Sequence, residues 1–151
     1  EFPYPARDPR CYLWFLQNGL PGYAWYVPKA GGYLNVGIGA SAQALKAGGS
    51  SLRQHWDLLT AKLARDGLVT GRAFKPTGHS YYLRRAPGAL RVDNALLAGD
   101  SAGLATLDMG EGIGPALQSG ALAAEAVLNG GSYTLNSIPR YSLWSLVGLA
   151  K

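Results

Sequence analysis

The sequence predicts an α+β fold, in which an antiparallel sheet with helices precedes one strand, a glycine-rich loop and a long helix. Alternating aromatic residues on either side of a Lys-Ala-Gly-Gly turn predict a β-hairpin, with strands over Ala24–Pro28 and Tyr33–Ile38. Ser51, followed three residues later by a Gln, forms a capping box that begins an amphipathic helix. The third observation is an apolar segment, Ala95–Ala98, that leads into a glycine-rich loop and an alanine-rich helix.

The remaining elements of the first half follow from local patterns. Arg10–Gln17 and part of Gly71–Leu83 are predicted as further strands. The helix that starts after Ser51 ends at Gly67, and His55 lies off its apolar stripe, so we expect this histidine at the surface. The residues predicted to face the core are Leu52, Trp56, Leu59 and Leu63.

In the second half, Ala95–Ala98 is short enough to be a strand buried on both faces. The long helix begins near Ile113 or Gly114, because Pro115 is tolerated only in a first turn. Glycines after Asn129 end this helix. Its predicted core stripe consists of Leu117, Ala121, Ala124 and Leu128. A last short helix is predicted over residues 142–149.

An acid and a helix start lie close together in this second half. Asp100 directly follows the predicted strand, and the N–H groups of Gly112, Ile113 and Gly114 are not covered by bulky side chains. Partial positive charge collects at a helix N-terminus, which suits an electron-rich or anionic group. The carboxylate of Asp100 can accept hydrogen bonds from hydroxyls. This order of parts predicts a site for a polyhydroxylated, partly anionic cofactor.

The same residues carry a resemblance to a known family. The segment Gly99-Asp-Ser-Ala-Gly, a gap of seven residues, and then Glu-Gly-Ile resembles the second flavin motif of the geranylgeranyl reductase group. That group belongs to the FAD-dependent oxidoreductases, with the aromatic hydroxylases and halogenases. The resemblance implies that Asp100 contacts the ribityl chain or pyrophosphate of FAD, and that the backbone at the helix start meets the isoalloxazine. The implied cofactor-binding residues are Gly99, Asp100, Gly110, Gly112 and Ile113.

One part of the flavin motif departs from the family pattern. Leu107-Asp-Met109 stands where the family usually has a proline shortly before Gly-Glu-Gly. The contacts of this loop with a flavin are therefore not implied by the resemblance. Glu111 and Asp108 lie close enough in sequence to handle a proton, but each is more simply an anchor of the loop. No catalytic residue is assigned.

A second segment resembles the same reductases. Tyr23-Ala-Trp-Tyr-Val-Pro-Lys, followed by Asn35-Val-Gly-Ile-Gly, is similar to their aromatic-x-Trp-x-Phe-Pro-Lys motif, although Val27 replaces the Phe and the spacer is one residue longer. The family lines its substrate cavity with this motif. The implied substrate-binding residues are Tyr23, Trp25, Pro28 and Lys29. The alternative, that Tyr23 and Trp25 simply fill a core between sheet and helix, stays open.

The resemblance implies an FAD-dependent oxidoreductase that reduces C=C bonds of an isoprenoid or similar apolar substrate. A flavin-dependent monooxygenase or halogenase and a non-enzymatic binding module stay open as alternatives. Such enzymes begin with a Rossmann unit for the ADP half of FAD. Gly37-Ile-Gly39 does not supply it, because the next helix meets Gly48 within two turns. We therefore expect a C-terminal fragment whose missing N-terminal part carries that half.

The expected organisation has three parts. Residues 1–93 form the substrate-side sheet and helix. Residues 94–131 contribute the last strand and helix of a Rossmann-like FAD-binding domain, and residues 132–151 form a C-terminal tail or helix.

A hydrolase is the main rival from another class. Gly99–Gly103 fits Gly-x-Ser-x-Gly, with Ser101 as nucleophile after a strand. That fold places its histidine later in sequence, whereas His55 and His79 both precede the serine. His79, next to Gly78, is more typical of a turn than of a proton shuttle. The pattern therefore disfavours hydrolysis.

Composition limits the remaining classes. Hydrophobic residues make up 48% of the 151 residues, which indicates a packed globule. The single cysteine, Cys11, excludes an internal disulfide and is expected to be buried. No run approaches the ~20 apolar residues of a membrane span, and no signal peptide or metal-ligand cluster is recognisable. A cytoplasmic location is expected, with membrane association left open.

The net charge of +5 concentrates between Gly71 and Val92, a stretch that contains five basic residues and no acid. The patch is too sparse to predict nucleic-acid binding. A solvated sheet face is the simplest interpretation. An anionic headgroup or diphosphate, at a peripheral contact with a membrane, is the functional alternative. The five residues are Arg72, Lys75, Arg84, Arg85 and Arg91.

Overall fold

The computed structural model describes residues 1–86 and 88–142. The chain divides into two compact units, Glu1–Thr77 and Gly78–Lys151. Within the described residues the fold is α+β, with an antiparallel four-stranded sheet and three α-helices, as the sequence predicts. The finer division of the chain at residues 93 and 131 stays a prediction.

The sheet of the first unit contains four strands in the order β1-β4-β3-β2, and each neighbouring pair is antiparallel. The predicted hairpin is confirmed as β3 and β4, whose turn passes through Gly31 at φ 73° and Gly32 at φ 75°. Glycine adopts these positive φ values without a steric penalty. The strand bounds are Phe2–Pro3 for β1, Tyr12–Phe15 for β2, Gly22–Lys29 for β3 and Tyr33–Ala40 for β4.

Side chains alternate between the two faces of this sheet. Ala24, Tyr26 and Leu34 are buried in the core of the first unit. Cys11 is exposed, so the prediction of a buried cysteine is wrong. The physical reason is the strand period of two, because Tyr12, its neighbour in β2, packs against the core and leaves Cys11 on the outer side.

Helices α1, Ala42–Ala47, and α2, Leu52–Arg65, follow the sheet. The predicted capping box of α2 is confirmed: Gln54 N donates to Ser51 Oγ, and Ser51 N donates to Gln54 Oε1 at 2.8 Å. The helix buries Leu59 and Leu63 against the sheet. The surface prediction for His55 is wrong, since this residue is only 8% exposed. His55 is four and eight residues before the two leucines and therefore shares their face.

The second unit contains little regular sheet among its described residues. Strand β5, Arg91–Val92, pairs with β6, Ala95–Leu96, in a two-stranded hairpin. The predicted strand Ala95–Ala98 is thus shorter than expected and is not buried on both faces, because Ala95 is exposed and Leu96 only half-buried. No named strand lies within Gly71–Leu83 either. Leu83 there forms only an isolated bridge to Ala105.

Helix α3 runs from Ile113 to Asn129 and ends at Gly130, whose φ is 66°. These bounds confirm the sequence prediction. The predicted core stripe is wrong, because the buried residues are Pro115, Ser119 and Ala126. The segment after the helix decides this orientation: Ala126 packs in one cluster with Ala102, Leu104, Tyr133, Leu135 and Ile138.

Two further points concern the C-terminal helix and membrane spans. The predicted helix over 142–149 lies outside the described residues from residue 143 onward. Across the described part of the chain, none of the helices combines the length and apolar character needed to cross a membrane.

Candidate functional site

The acid and the helix start singled out by the sequence lie side by side in the second unit. Asp100 lies in a single 3-10 turn, Gly99–Ala102, that follows β6. A methyl group built onto Gly112 would lie 3.0 Å from Asp100 Oδ1. The carboxylate therefore stands directly against the N-cap of α3, and the space between them depends on glycine at position 112.

The turn that carries Asp100 is fixed to α3 by polar contacts. Gly99 N donates to Ser119 Oγ at 2.9 Å, and Ser119 is fully buried. Gly103 N donates to Asp100 O at 3.0 Å and closes the turn with φ 65°. Gly99 also has a positive φ of 56°. Both glycines of the Gly-Asp-x-x-Gly segment are thus required by the backbone.

The start of α3 is capped by the residue before its N-cap. Gly114 N donates to Glu111 Oε1 at 2.7 Å, and Ala116 N forms the first helical bond to Gly112 O at 2.9 Å. The expectation of three uncovered amides is therefore wrong for Gly114, because the Glu111 carboxylate reaches it. The amides of Gly112 and Ile113 remain as the predicted backbone donors of the site.

The loop before Gly112 is closed by Thr106. Thr106 N donates to Glu111 O at 2.9 Å, and Glu111 N donates to Thr106 Oγ1 at 3.0 Å. Gly110 N donates to Thr106 O at 3.0 Å, and Thr106 itself is buried. The sequence analysis missed Thr106. The available signal was its position five residues before Glu111, at the other end of a glycine-containing loop.

The segment Leu107-Asp-Met109, which departs from the family pattern, is tied to the chain that follows α3. Asp108 Oδ1 accepts from Met109 N at 2.9 Å and from Ser142 N at 2.9 Å. Leu107 N donates to Arg140 O at 2.9 Å. These bonds restrict the loop at the place where the family usually has proline, and they make Asp108 an anchor of the loop.

In the first unit, the aromatic residues of β3 form a surface on the sheet face away from α2. Tyr23 lies 5.7 Å, between ring centroids, from both Phe15 and Trp25. The core of this unit is filled by Ala24 and Tyr26, so the alternative that Tyr23 and Trp25 fill it is wrong. We call Phe15, Tyr23 and Trp25 the aromatic face.

Trp25 is held in one orientation by two residues of β4. Its Nε1 donates to Asn35 Oδ1 at 2.7 Å. Its ring covers Gly37, where a built methyl group would lie 2.1 Å from Trp25 Cζ2. Glycine at position 37 therefore lets the indole lie flat on the backbone. Asn35 and Gly37 are in register with Val27 and Trp25 across the hairpin.

The other two predicted substrate-binding residues have different surroundings. Pro28 pairs in register with the buried Leu34, and by alternation it lies on the side of Ala24 and Tyr26 rather than with the aromatic face. Lys29 Nζ forms an ion pair with Glu1 Oε2 at 2.7 Å. The Lys29 ammonium lowers the pKa of the Glu1 carboxyl below its usual value.

Several cations of the basic stretch already have partners within their own unit. Arg84 donates to Ile138 O at 3.2 Å, and burial lowers the pKa of its guanidinium. Arg85 stacks over the Tyr82 ring at 4.4 Å, and Arg72 lies over the Phe2 ring at 5.2 Å. These contacts favour the simpler interpretation of a solvated surface over a headgroup site.

Ser101 does not have the surroundings of a nucleophile. Its hydroxyl donates to Ala98 O at 2.5 Å, and the 3-10 turn that contains it ends at Gly103 instead of continuing as a helix. A nucleophile elbow needs a strand-to-helix turn and a base that accepts the serine proton. Among the described residues, no group of three or more His, Cys, Asp and Glu side chains could hold a metal ion.

The two motifs resemble those of the geranylgeranyl reductase group, and comparison with curated proteins confirms the resemblance. The chain is 35% identical over 114 residues to the menaquinone reductase of Mycolicibacterium smegmatis and 30% identical over 106 residues to that of Mycobacterium tuberculosis. It is 31% identical over 104 residues to the digeranylgeranylglycerophospholipid reductase of Methanoculleus marisnigri. Its homologues are thus reductases.

These matches cover most of this chain but only a small part of each relative. They include 74%, 70% and 69% of this chain, respectively, but the chain spans only about a quarter of each relative, at 27%, 26% and 25%. No protein family model matches the chain. No solved structure matches it either.

Proposed function

We propose that the chain is the C-terminal portion of an FAD-dependent oxidoreductase that reduces C=C bonds of an isoprenoid or similar apolar substrate. The observation that carries this proposal is the close approach of the Asp100 carboxylate to the N-cap of α3, which brings an acid and the backbone amides of a helix start together. The names of the homologous reductases support reduction as the reaction class.

The residues around Gly112 fit a flavin. A side chain at position 112 would come within 3.0 Å of Asp100 Oδ1, and we propose that glycine there leaves a cradle for a ligand beside the carboxylate. Asp100 is exposed and can accept hydrogen bonds from the ribityl hydroxyls. The helix dipole places partial positive charge at the amides of Gly112 and Ile113, at the helix start beside Asp100. Bound FAD would supply hydride transfer.

Different residues of the chain would orient the cofactor and hold the substrate. Asp100 and the turn closed by Gly103 orient the cofactor, while the start of α3 stabilises negative charge beside it. Glu111 orders the first turn of the helix by accepting from Gly114 N. The aromatic face would hold an apolar chain and exclude water from it, with Trp25 fixed by Asn35. No proton donor is assigned.

An exposed face of α3 supports the view that the chain functions as part of a larger protein. Four large apolar side chains of this helix are 70–82% exposed: Ile113, Leu117, Val127 and Leu128. Soluble proteins rarely expose such a continuous apolar surface. We propose that the rest of a longer chain, with a Rossmann-like sheet that binds the ADP half of FAD, covers it. The length of the relatives is consistent with this view.

The alternatives within the flavin class use the same cofactor cradle. A monooxygenase or halogenase would need oxygen, whereas a reductase would not, and the names of the homologues favour the reductase. The contact of Ser101 with a carbonyl argues against a hydrolase. A binding module that uses the aromatic face alone gives no reason for the cradle at Gly112.

The proposal is tested on the full-length parent protein by its visible spectrum and by turnover. We expect flavin absorption bands and anaerobic reduction, with dithionite as reductant, of menaquinone or of a geranylgeranyl-bearing glycerophospholipid offered separately. A colourless protein that cannot be reconstituted with FAD would contradict the cofactor assignment. Turnover that requires oxygen would replace the reductase with the monooxygenase.

Asp100 is tested by Asp100→Asn, with Asp57→Asn on the exposed side of α2 as the control. Hydrogen bonds to a charged group are worth about 1.5–3 kcal/mol, so the Kd for FAD should rise about ten- to hundredfold in Asp100→Asn. Titration with FAD, followed by fluorescence quenching, measures this change. Equal FAD affinities in Asp100→Asn and Asp57→Asn would show that Asp100 does not bind the cofactor.

A further inference from the structure

One tyrosine outside the two motifs contacts the loop that leads to Gly112. Tyr81 Oη donates to Gly110 O at 2.9 Å, across 29 residues of sequence. Gly110 has a φ of 61°, and a methyl group built onto it would lie 2.6 Å from Tyr81 Oη. The phenol therefore stands directly against the backbone of Gly110. Neither motif accounts for this tyrosine.

The contact clamps a single peptide group from both sides. The carbonyl of Gly110 and the N–H of Glu111 belong to the same planar unit and point in opposite directions. Tyr81 Oη donates to the carbonyl, and the N–H donates to Thr106 Oγ1 at 3.0 Å. A peptide next to a glycine with positive φ can otherwise rotate at low cost. The two hydroxyls together fix its orientation.

The clamped peptide lies directly before the cofactor cradle. Glu111 links it to the helix, because its own carboxylate accepts from Gly114 N. The next amide along the chain belongs to Gly112, the residue against which Asp100 stands. A change in the plane of the Gly110–Glu111 peptide would therefore alter both the cap of α3 and the direction of the Gly112 amide.

We infer that Tyr81 is a positioning residue, which with Thr106 fixes the Gly110–Glu111 peptide and thereby the amides that would face the flavin. This inference rests on the proposed function. Together with the bonds that Asp108 accepts from Met109 N and Ser142 N, the contacts of Tyr81 and Thr106 restrict the loop that lacks the family's proline. Tyr81 touches the loop rather than the reacting atoms, so it is not a catalytic residue.

The test compares Tyr81→Phe with Tyr82→Phe in the full-length protein. Each substitution removes one hydroxyl, but Tyr82 lies over Arg85 rather than on the loop, and phenylalanine keeps that ring contact. One lost hydrogen bond corresponds to about a two- to tenfold rise in the Kd for FAD in Tyr81→Phe. The flavin absorption band should shift in this variant, and Tyr82→Phe should match the wild type in both measurements.

Hydrogen–deuterium exchange without FAD provides a second measurement. Amides of residues 110–113 should exchange faster in Tyr81→Phe, while those of α2 should not change. The inference is overturned if exchange in this loop equals that of the wild type, or if the loop loosens while FAD affinity and spectrum stay unchanged. A wild-type protein that binds no FAD would instead overturn the proposed function, and the exchange data would still show whether the clamp exists.

Discussion

The two units of the chain use their polar side chains in different ways. In the first unit, charged and polar side chains pair with one another, as in Arg10 with Asp8, Lys62 with Asp66 and Trp25 with Asn35. In the second unit, Tyr81 and Tyr133 donate to backbone carbonyls. The described part of the second unit has little sheet, so many of its backbone groups need partners outside a ladder.

The same contrast separates the two long helices. Helix α2 has a side-chain cap at Ser51 and buries its leucines. Helix α3 has a glycine at its N-cap, takes its cap from Glu111 and leaves large apolar residues exposed. The first helix is therefore organised to stabilise its own unit. The second helix leaves one apolar face exposed. This exposure agrees with the proposal that a cofactor binds at its N-terminus and that further protein covers its apolar face.

The largest expected effect separates the buried face of α2 from the exposed face of α3. Leu63→Ala in α2 removes a fully buried side chain and should lower the free energy of unfolding by about 2–5 kcal/mol. Leu128→Ala in α3 should change it by less than about 0.5 kcal/mol in the 151-residue chain, because Leu128 is 82% exposed. Urea denaturation of both variants measures the difference.

Leu128 also tests whether the apolar face of α3 is covered. In the full-length protein, the proposed sheet would bury Leu128, so Leu128→Ala should then cost about 2 kcal/mol or more. An equally small effect in both proteins would leave the exposed face without the proposed partner.

The second prediction concerns the cradle at the start of α3. Gly112→Ala brings a methyl group within 3.0 Å of Asp100 Oδ1, while the φ of −118° accepts alanine without strain. We expect the Kd for FAD to rise about tenfold or more, equivalent to about 1.4 kcal/mol, with little change in melting temperature. Gly131→Ala is the control, because its added methyl group meets no atom within 4 Å. Equal FAD affinity in both variants would show that the cradle does not hold the cofactor.

The third prediction tests the cap of the self-contained helix. Ser51→Ala removes the acceptor of the Gln54 amide and should lower the free energy of unfolding by about 1 kcal/mol. FAD affinity should stay unchanged, because the Ser51 cap belongs to α2 and not to the cofactor cradle. Ser51→Thr keeps the acceptor oxygen and should retain most of the stability. A large loss of FAD binding in Ser51→Ala would mean that the two helices do not have separate roles.

Local patterns explain what the sequence predicts correctly. The hairpin of β3 and β4, the capping box at Ser51 and the bounds of α3 all follow from residues within a few positions of each other. The sequence also predicts that Asp100 lies close to Gly112, since both belong to the motif that resembles the geranylgeranyl reductase group.

The features that the sequence did not predict depend on distant contacts. Helix α3 is apolar on nearly every side, so its periodicity could not show that Ser119 and Ala126 face the core while Leu117 does not. The contact of Tyr81 with Gly110 joins segments without a shared motif. The chain order alone carries no signal for such a pairing.

The smallest expected effect is a pH dependence confined to the first unit. Asp8 accepts hydrogen bonds from Arg10 and from the Tyr12 hydroxyl, which hold the pKa of its carboxyl well below its usual range. A group whose pKa is lowered by folding stabilises the protein above its unfolded pKa of about 3.9, and this contribution is lost as the pH falls through the folded value. Asp8→Asn should therefore reduce stability at pH 7 and flatten its decline in acid.

Urea denaturation at pH 7, 4 and 2.5 measures this difference. The gap between wild type and Asp8→Asn should be largest at pH 7 and narrow progressively below about pH 4, because the unfolded wild-type carboxyl then binds a proton while the folded one stays ionised. Arg10→Gln should show a similarly shallow acid dependence, because Arg10 supplies the largest part of the pKa shift. A gap that stays constant across this range would mean that the Asp8–Arg10 pair does not exist in solution.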